Sequence, residues 1–237
     1  MNYDDWIEVA HREPRIVGVV VTGSRGRGAL VHERSDWDLR VLVRDGEEAF
    51  ADSLYTPHGS GVEVSASTVS AFREAPAWDR YSYAHVQVPV DKLDGGVERL
   101  VAKRGTLAPD EAEELARESL GAYTNSLYRS LRDAELGLAL AARLDAADAV
   151  SALLTALFAF ERRVRPFNKY ARWELEAHPL RDWRADELLA LVEASLAGGA
   201  APQRALLRAV EPSVRAHGYG RAIDDWEPHV AFLRGDS

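Results

Sequence analysis

Two short apolar runs, 16–21 and 39–43, frame a loop that carries three glycines and a pair of aspartates one residue apart. The first run, bounded by Gly23 and Ser24, reads as a buried strand. Gly23, Gly26 and Gly28 permit backbone conformations and close approaches that a Cβ blocks. Turns of this kind point N–H groups outward and cradle an anion, and the Ser24 hydroxyl adds a donor. Asp36 and Asp38 open the second run. On a strand, residues i and i+2 share a face, so both carboxylates look into one volume. Two such charges ~4 Å apart repel by roughly 4 kcal/mol at an effective dielectric near 20. A shared proton relieves that repulsion. So does a hard divalent cation, and oxygen ligands with positions left open for substrate phosphates suit Mg2+. A phosphate cradle beside a magnesium site is the equipment for phosphoryl or nucleotidyl transfer.

Gly23-Ser24, the glycine-containing loop and Ser35-Asp36-Trp37-Asp38-Leu39 resemble the motif of the DNA-polymerase-β-like nucleotidyltransferase superfamily. Within it the chain is most similar to the small-molecule branch, which includes aminoglycoside and lincosamide nucleotidyltransferases. The resemblance implies an α+β fold: a small mixed β-sheet nucleotidyltransferase domain with flanking helices over 1–106, then a helical-bundle domain over 107–237. It implies that Asp36 and Asp38 hold two Mg2+ ions and that Gly23 and Ser24 grip the phosphates of ATP or another nucleoside triphosphate. Arg25 is a further phosphate candidate, since a guanidinium binds phosphate oxygens in pairs; a solvated loop arginine is the alternative. Glu63, on an alternating apolar–polar stretch at 62–67, stands where the superfamily has its third carboxylate. The resemblance makes it a metal ligand, the general base, or both; the plain alternative is an exposed strand glutamate. The acceptor implied is a small-molecule hydroxyl, with pyrophosphate released. A protein or RNA acceptor, or a nucleotide-binding module without turnover, are the competing readings.

Charge and composition bear on that choice. The formal net charge of the 237 residues is −9. A protein that lives on nucleic acid carries a basic face, so the acidic total speaks against a nucleic-acid partner and suits a cationic or neutral small acceptor. Solubility alone accounts for it equally well. There are no cysteines, which excludes disulfides and Cys-ligated zinc. The N-terminal stretch lacks the basic, apolar, small-residue order of a signal peptide, and no apolar run approaches the ~20 residues of a spanning helix. A cytoplasmic setting without a membrane partner is the expectation. The glycine loop has no Walker A lysine, and its spacing departs from a dinucleotide-binding fingerprint.

Periodicity and turn residues divide the rest. A helix is predicted over 5–11, strands over 16–21, 37–44, 62–67 and 83–90, and short helices over 47–55 and 69–74, with a helical turn over 29–33. Loops or turns are expected at 56–61 and 91–96. Pro89 argues that the fourth strand lies at an edge. From residue 109 onward Ala, Leu, Glu and Arg dominate, all strong helix formers. Helices are predicted over 110–133, 145–163, 169–177, 186–196, 202–216 and 227–233, with Gly198-Gly199 as a break. The stretch 165–170 resembles an element of the small-molecule branch's helical domain. It places Lys169, a compact charge suited to a triphosphate, on a helix kinked at Pro166; a solvated surface lysine is the alternative.

Overall fold

The computed structural model describes residues 1–56 and 58–236, and the side chain of residue 77 is likewise not described. The predicted loop over 56–61 therefore includes one position, 57, outside the described residues. The chain divides into two compact units, Met1–Thr106 and Leu107–Ser237. The first is a mixed four-stranded sheet with flanking helices; the second is helical.

The first unit starts with helix α1, Tyr3–Arg12, whose N-terminus is closed by a reciprocal Asn2–Asp5 capping box. Strand β1, Ile16–Thr22, is buried along its whole length. Five-residue helix α2, Gly23–Arg27, follows at once. Strand β2 is Trp37–Val43, helix α3 Glu48–Ser53, strand β3 Val62–Thr68 and helix α4 Val69–Glu74. A 3-10 helix, Ala77–Tyr83, leads to strand β4, Gln87–Asp91, and helix α5, Gly96–Arg104, completes the unit. The strand order is β3-β2-β1-β4. β1 runs antiparallel to both β2 and β4, whereas β2 and β3 are parallel. β4 is thus an edge strand, as Pro89 requires. The opposite edge is β3, where Thr56 donates its N–H to the Val64 carbonyl at 3.1 Å and its hydroxyl to the Val62 carbonyl at 2.9 Å.

Side-chain alternation gives the sheet two unlike faces. Ile16, Val19, Val21, Leu39, Val41, Val43, Val62 and Val64 form one face, packed against Trp6 and Ala10 of α1 and Ala51 of α3. Tyr3 stacks on Trp37 with centroids 3.8 Å apart, tying α1 to the start of β2. On the other face Val17, Val20 and Leu42 pack against Phe72, Tyr83, Val97 and Val101. Gly18 makes that second layer possible, since a Cβ there would lie 2.5 Å from Cγ2 of Val97. Arg104, 8% exposed, ties this layer together. It donates to the carbonyls of Phe72, Ala75 and Pro76 and to Asp79 Oδ1 at 2.7 Å.

The second unit comprises helices α6 (Pro109–Glu135), α7 (Ala139–Phe160), α8 (Ala171–Ala177), α9 (Ala185–Ala197), α10 (Ala200–Ala216), α11 (Arg221–Asp224) and α12 (Val230–Arg234). A 3-10 helix, Asn168–Tyr170, precedes α8. Leu120, Tyr123, Leu127 and Leu131 recur every three or four residues along α6 and meet Val150, Leu153, Leu154 and Leu157 of α7. Each such burial contributes ~1.5–3 kcal/mol. Ser130 adds a buried cross-helix bond to the Ala142 carbonyl at 2.7 Å. Among the described residues no helix is long and apolar enough to cross a membrane.

Several sequence expectations differ from the fold. The helical turn falls on 23–27, not 29–33, because Gly28 takes a left-handed conformation (φ 64°) and ends it. Tyr81 and Tyr83 are buried with strand-like spacing, yet they belong to the 3-10 helix, so β4 begins at Gln87. α5 was not predicted, although Val97, Leu100 and Val101 have helical spacing. α7 begins at Ala139, six residues before the expected start, directly after the break at Gly137 (φ 74°). Residues 161–167 leave the helix altogether, so Pro166 lies in a connection and not in a kink. The last predicted helix, 227–233, is the shorter α12, which starts only at Val230, and α11 at Arg221–Asp224 lies before it where no helix is expected.

Candidate functional site

Asp38, Arg40 and Leu42 alternate along β2 with the residues of the fully apolar face. Toward the Leu42 end this face is covered by α4 and α5. Toward the Asp38 end it is polar. Asp38 pairs in register with Glu63 of β3 and with Thr22 of β1, and Arg40 pairs with Ser65, to which its guanidinium donates. Asp38, Arg40, Glu63 and Ser65 line a cavity of about 330 Å³, with Tyr55, His58 and Trp78 at its walls.

The turn after β1 meets this site at Gly23. Its φ is +65°, and a Cβ there would fall 1.9 Å from Asp38 Oδ2. Only glycine lets the carboxylate lie against this backbone. Ser24, 7% exposed, is the next residue of the turn. Arg25 is turned onto the following loop: its Nε donates to the Ser35 carbonyl at 2.8 Å and its guanidinium lies 4.9 Å from the Trp37 ring centroid. Its terminal nitrogens make no hydrogen bond with a described residue.

Glu63 is a committed carboxylate. Oε1 accepts from the Gly59 N–H at 3.0 Å and Oε2 lies 2.5 Å from His58 Nδ1. Burial pulls its carboxyl up, but the Gly59 N–H and the His58 imidazole outweigh that and hold it below its ordinary value. It is therefore ionised at neutral pH. Asp36 is half-buried just before β2 and is not among the residues lining the cavity. It makes no hydrogen bond or ion pair with any described residue. Among the described residues no three His, Asp or Glu side chains converge as a preformed metal cage. Lys169 belongs to the second unit, exposed, with Nζ 5.2 Å from the Tyr170 ring centroid. Neighbouring Asn168 accepts from Arg165 at 2.6 Å.

The structure thus brings Asp38, Glu63 and Gly23 into one neighbourhood. It adds residues that sequence reasoning did not single out. His58 and Tyr55 sit in a turn-rich loop whose path over Glu63 has no periodic signal. Trp78 is 78% exposed. Its signal was available: a tryptophan in a short polar stretch after Pro76, outside any apolar pattern. No protein-family model matches the chain, and no curated protein matches it.

Proposed function

We propose that the protein is a magnesium-dependent nucleotidyltransferase. It moves a nucleoside monophosphate, AMP from ATP, to a hydroxyl of a small molecule of aminoglycoside or lincosamide kind, and releases pyrophosphate. The observation that carries this reading is the in-register pair of Asp38 and Glu63 on neighbouring parallel strands, lining one cavity, with the Gly23 turn against Asp38.

Magnesium fits this donor set. Its protein ligands are hard oxygens, and such sites use one or two carboxylates, the remaining positions going to water and substrate phosphate. Asp38 and Glu63 would hold the ion; Asp36 does not line this cavity. When bound, the metal supplies charge neutralisation at the transferred phosphoryl group and the leaving pyrophosphate. Gly23 and Ser24 grip the terminal phosphates through backbone N–H groups and the Ser24 hydroxyl. Arg25 adds its two terminal nitrogens.

Glu63 has a second task. Ionised and held by Gly59 and His58, it accepts the proton of the acceptor hydroxyl as that oxygen attacks the α-phosphorus. The α–β bond breaks and pyrophosphate leaves. His58 steadies the carboxylate through its contact with Oε2. The exposed rings of Tyr55 and Trp78 give the cavity flat walls for a nucleobase or sugar.

The test is pyrophosphate release from labelled ATP and Mg2+ over a panel of aminoglycosides, lincosamides and metabolites, with mass spectrometry of the product. Asp38→Asn keeps the shape and is expected to lower transfer ~10³-fold or more, with the melting temperature unchanged. Equal turnover in wild type and Asp38→Asn would refute the assignment. Binding of ATP without release by the wild type would leave a binding module in its place.

A further inference from the structure

A second cavity, of about 390 Å³, lies wholly within the helical unit, where the first turns of α6, the end of α7 and the end of α10 meet. That volume falls in the ~300–1,000 Å³ range of small-molecule sites. Its wall is built from flat rings. Phe160 stacks on His217 with centroids 4.4 Å apart and planes at 16°, and on Tyr219 at 5.3 Å and 10°. His217 is held in place by Asp182, whose Oδ2 lies 3.1 Å from Nε2 and also accepts from Ser213 Oγ at 2.7 Å. The rings are therefore parallel and fixed, and a planar ligand can extend their stack.

The polar groups around these rings have donors to spare. Arg162 has left-handed backbone (φ 57°), a conformation uncommon outside glycine, which is costly and concentrates at functional positions. Its main chain is pinned on both sides: its N–H donates to the Ala159 carbonyl at 2.8 Å, and its carbonyl accepts from the Leu107 N–H at 2.9 Å. Its Nε donates to the Leu107 carbonyl at 3.0 Å. Its terminal nitrogens meet no acceptor among the described residues, and neither does the Tyr219 hydroxyl. Burial, with Glu113 nearby, pushes the Tyr219 hydroxyl up, so it remains a proton donor at neutral pH. The cavity's carboxylate, Glu113, is already paired with Arg117 at 2.5 Å. In a chain of net charge −9 the lining of this cavity carries two arginines, Arg117 and Arg162, against one carboxylate, with Asp182 held on His217.

We propose that this cavity is a binding site for a flat aromatic or heteroaromatic ring bearing an anionic group, with the ring on the Phe160–His217–Tyr219 stack and the carboxylate or phosphate on Arg162 and Tyr219. The site belongs to the second unit alone and does not depend on the transferase reading. Charge-assisted hydrogen bonds from a guanidinium contribute most where the anion is partly desolvated.

The experiment follows the His217 ring protons by NMR in the full-length protein during titration with 1-naphthoate, with its neutral analogue 1-naphthalenemethanol, and with AMP. A saturable shift of the His217 resonances by 1-naphthoate or AMP is expected. The first identifies a carboxylate-bearing ring, the second a phosphate-bearing one. Arg162→Gln is expected to weaken that binding about tenfold or more, as is loss of the charge in 1-naphthalenemethanol. Tyr219→Phe removes one oxygen and no packing, so it keeps the test open should Arg162→Gln not fold; about a threefold to tenfold loss is expected. The proposal is overturned if neither anion moves the His217 signals, if the neutral analogue binds as tightly, or if the folded variants bind like wild type.

Discussion

The two faces of the sheet are made from the same strands and differ in how completely they are closed. On one, every inward residue of β1 and β2 is apolar, aliphatic but for Trp37, and α1 and α3 seal it. On the other, Val20 and Leu42 are sealed by α4 and α5, but two residues further along β2 the sequence turns to Arg40 and then Asp38. An antiparallel or mixed sheet with one open, polar stretch is common enough. Here the open stretch is confined to the end next to the Gly23 turn, where it holds two carboxylates, an arginine and a serine. The covered face buries apolar side chains, and the open end gathers the charged and polar ones. A residue's share of each depends on its place along one strand.

Mutations can break that division. The largest stability effect is expected at Leu39, 2% exposed in the covered layer. Leu39→Ala should cost ~2–5 kcal/mol, measurable as a drop in the urea midpoint. A loss under ~1 kcal/mol would mean that this layer is looser than its burial indicates. Next is Gly23→Ala, which sits where the two regimes meet. A left-handed non-glycine residue costs roughly 1–2 kcal/mol. Its Cβ would also have to displace Asp38 Oδ2, from which it would lie 1.9 Å. Both stability and transfer should fall, with transfer reduced the more. A variant that loses stability while keeping full turnover would separate the turn from the chemistry.

Trp78→Ala should sharpen the contrast from the other side. With 78% of its surface exposed, it is expected to leave stability within about 0.5 kcal/mol while raising the KM for ATP or acceptor. An unchanged KM for both would remove Trp78 from the site. The smallest effect lies in the helical unit. Burial raises the Glu211 carboxyl, but Arg234 and Arg215 outweigh that and hold it below its ordinary value of 4.5. Its contribution is therefore complete above that value and lost as pH falls through the depressed one. Glu211→Gln should flatten the decline in melting temperature below pH 4.5, and an unaltered acid limb would show that the ion pairs add nothing.

Local pattern made much of this legible. The burial of β1 and β2, the edge position of Pro89 and the long α6 follow from apolar runs, proline and helix formers, each a signal within a few residues. What the pattern missed depended on contacts distant in sequence. Tyr81 and Tyr83 imitate a strand because both are buried two residues apart, Tyr83 against Phe72 and Val97 and Tyr81 beneath the Arg27 guanidinium, and not because of a ladder. α5 has a short apolar stripe, Val97 and Val101, whose partner is Gly18, nearly eighty positions away. The same holds at the site. The Asp36–Asp38 pair was visible as a motif, whereas the His58–Glu63 contact is made by a loop folding back over a strand, and the commitment of Arg25 to Ser35 by a turn closing on itself.

The two outer strands of the sheet have one further consequence. A sheet's borders are where a foreign chain adds a strand most readily. At β3 the hydrogen-bonding groups around Val62 and Val64 are already taken by Thr56, and at β4 Pro89 has no N–H to offer. The four strands are therefore poorly suited to recruit a fifth from another copy. Thr56→Val, which removes the hydroxyl but keeps the bulk, would weaken the guard on one side and make strand addition, and with it fibril growth, easier to nucleate there.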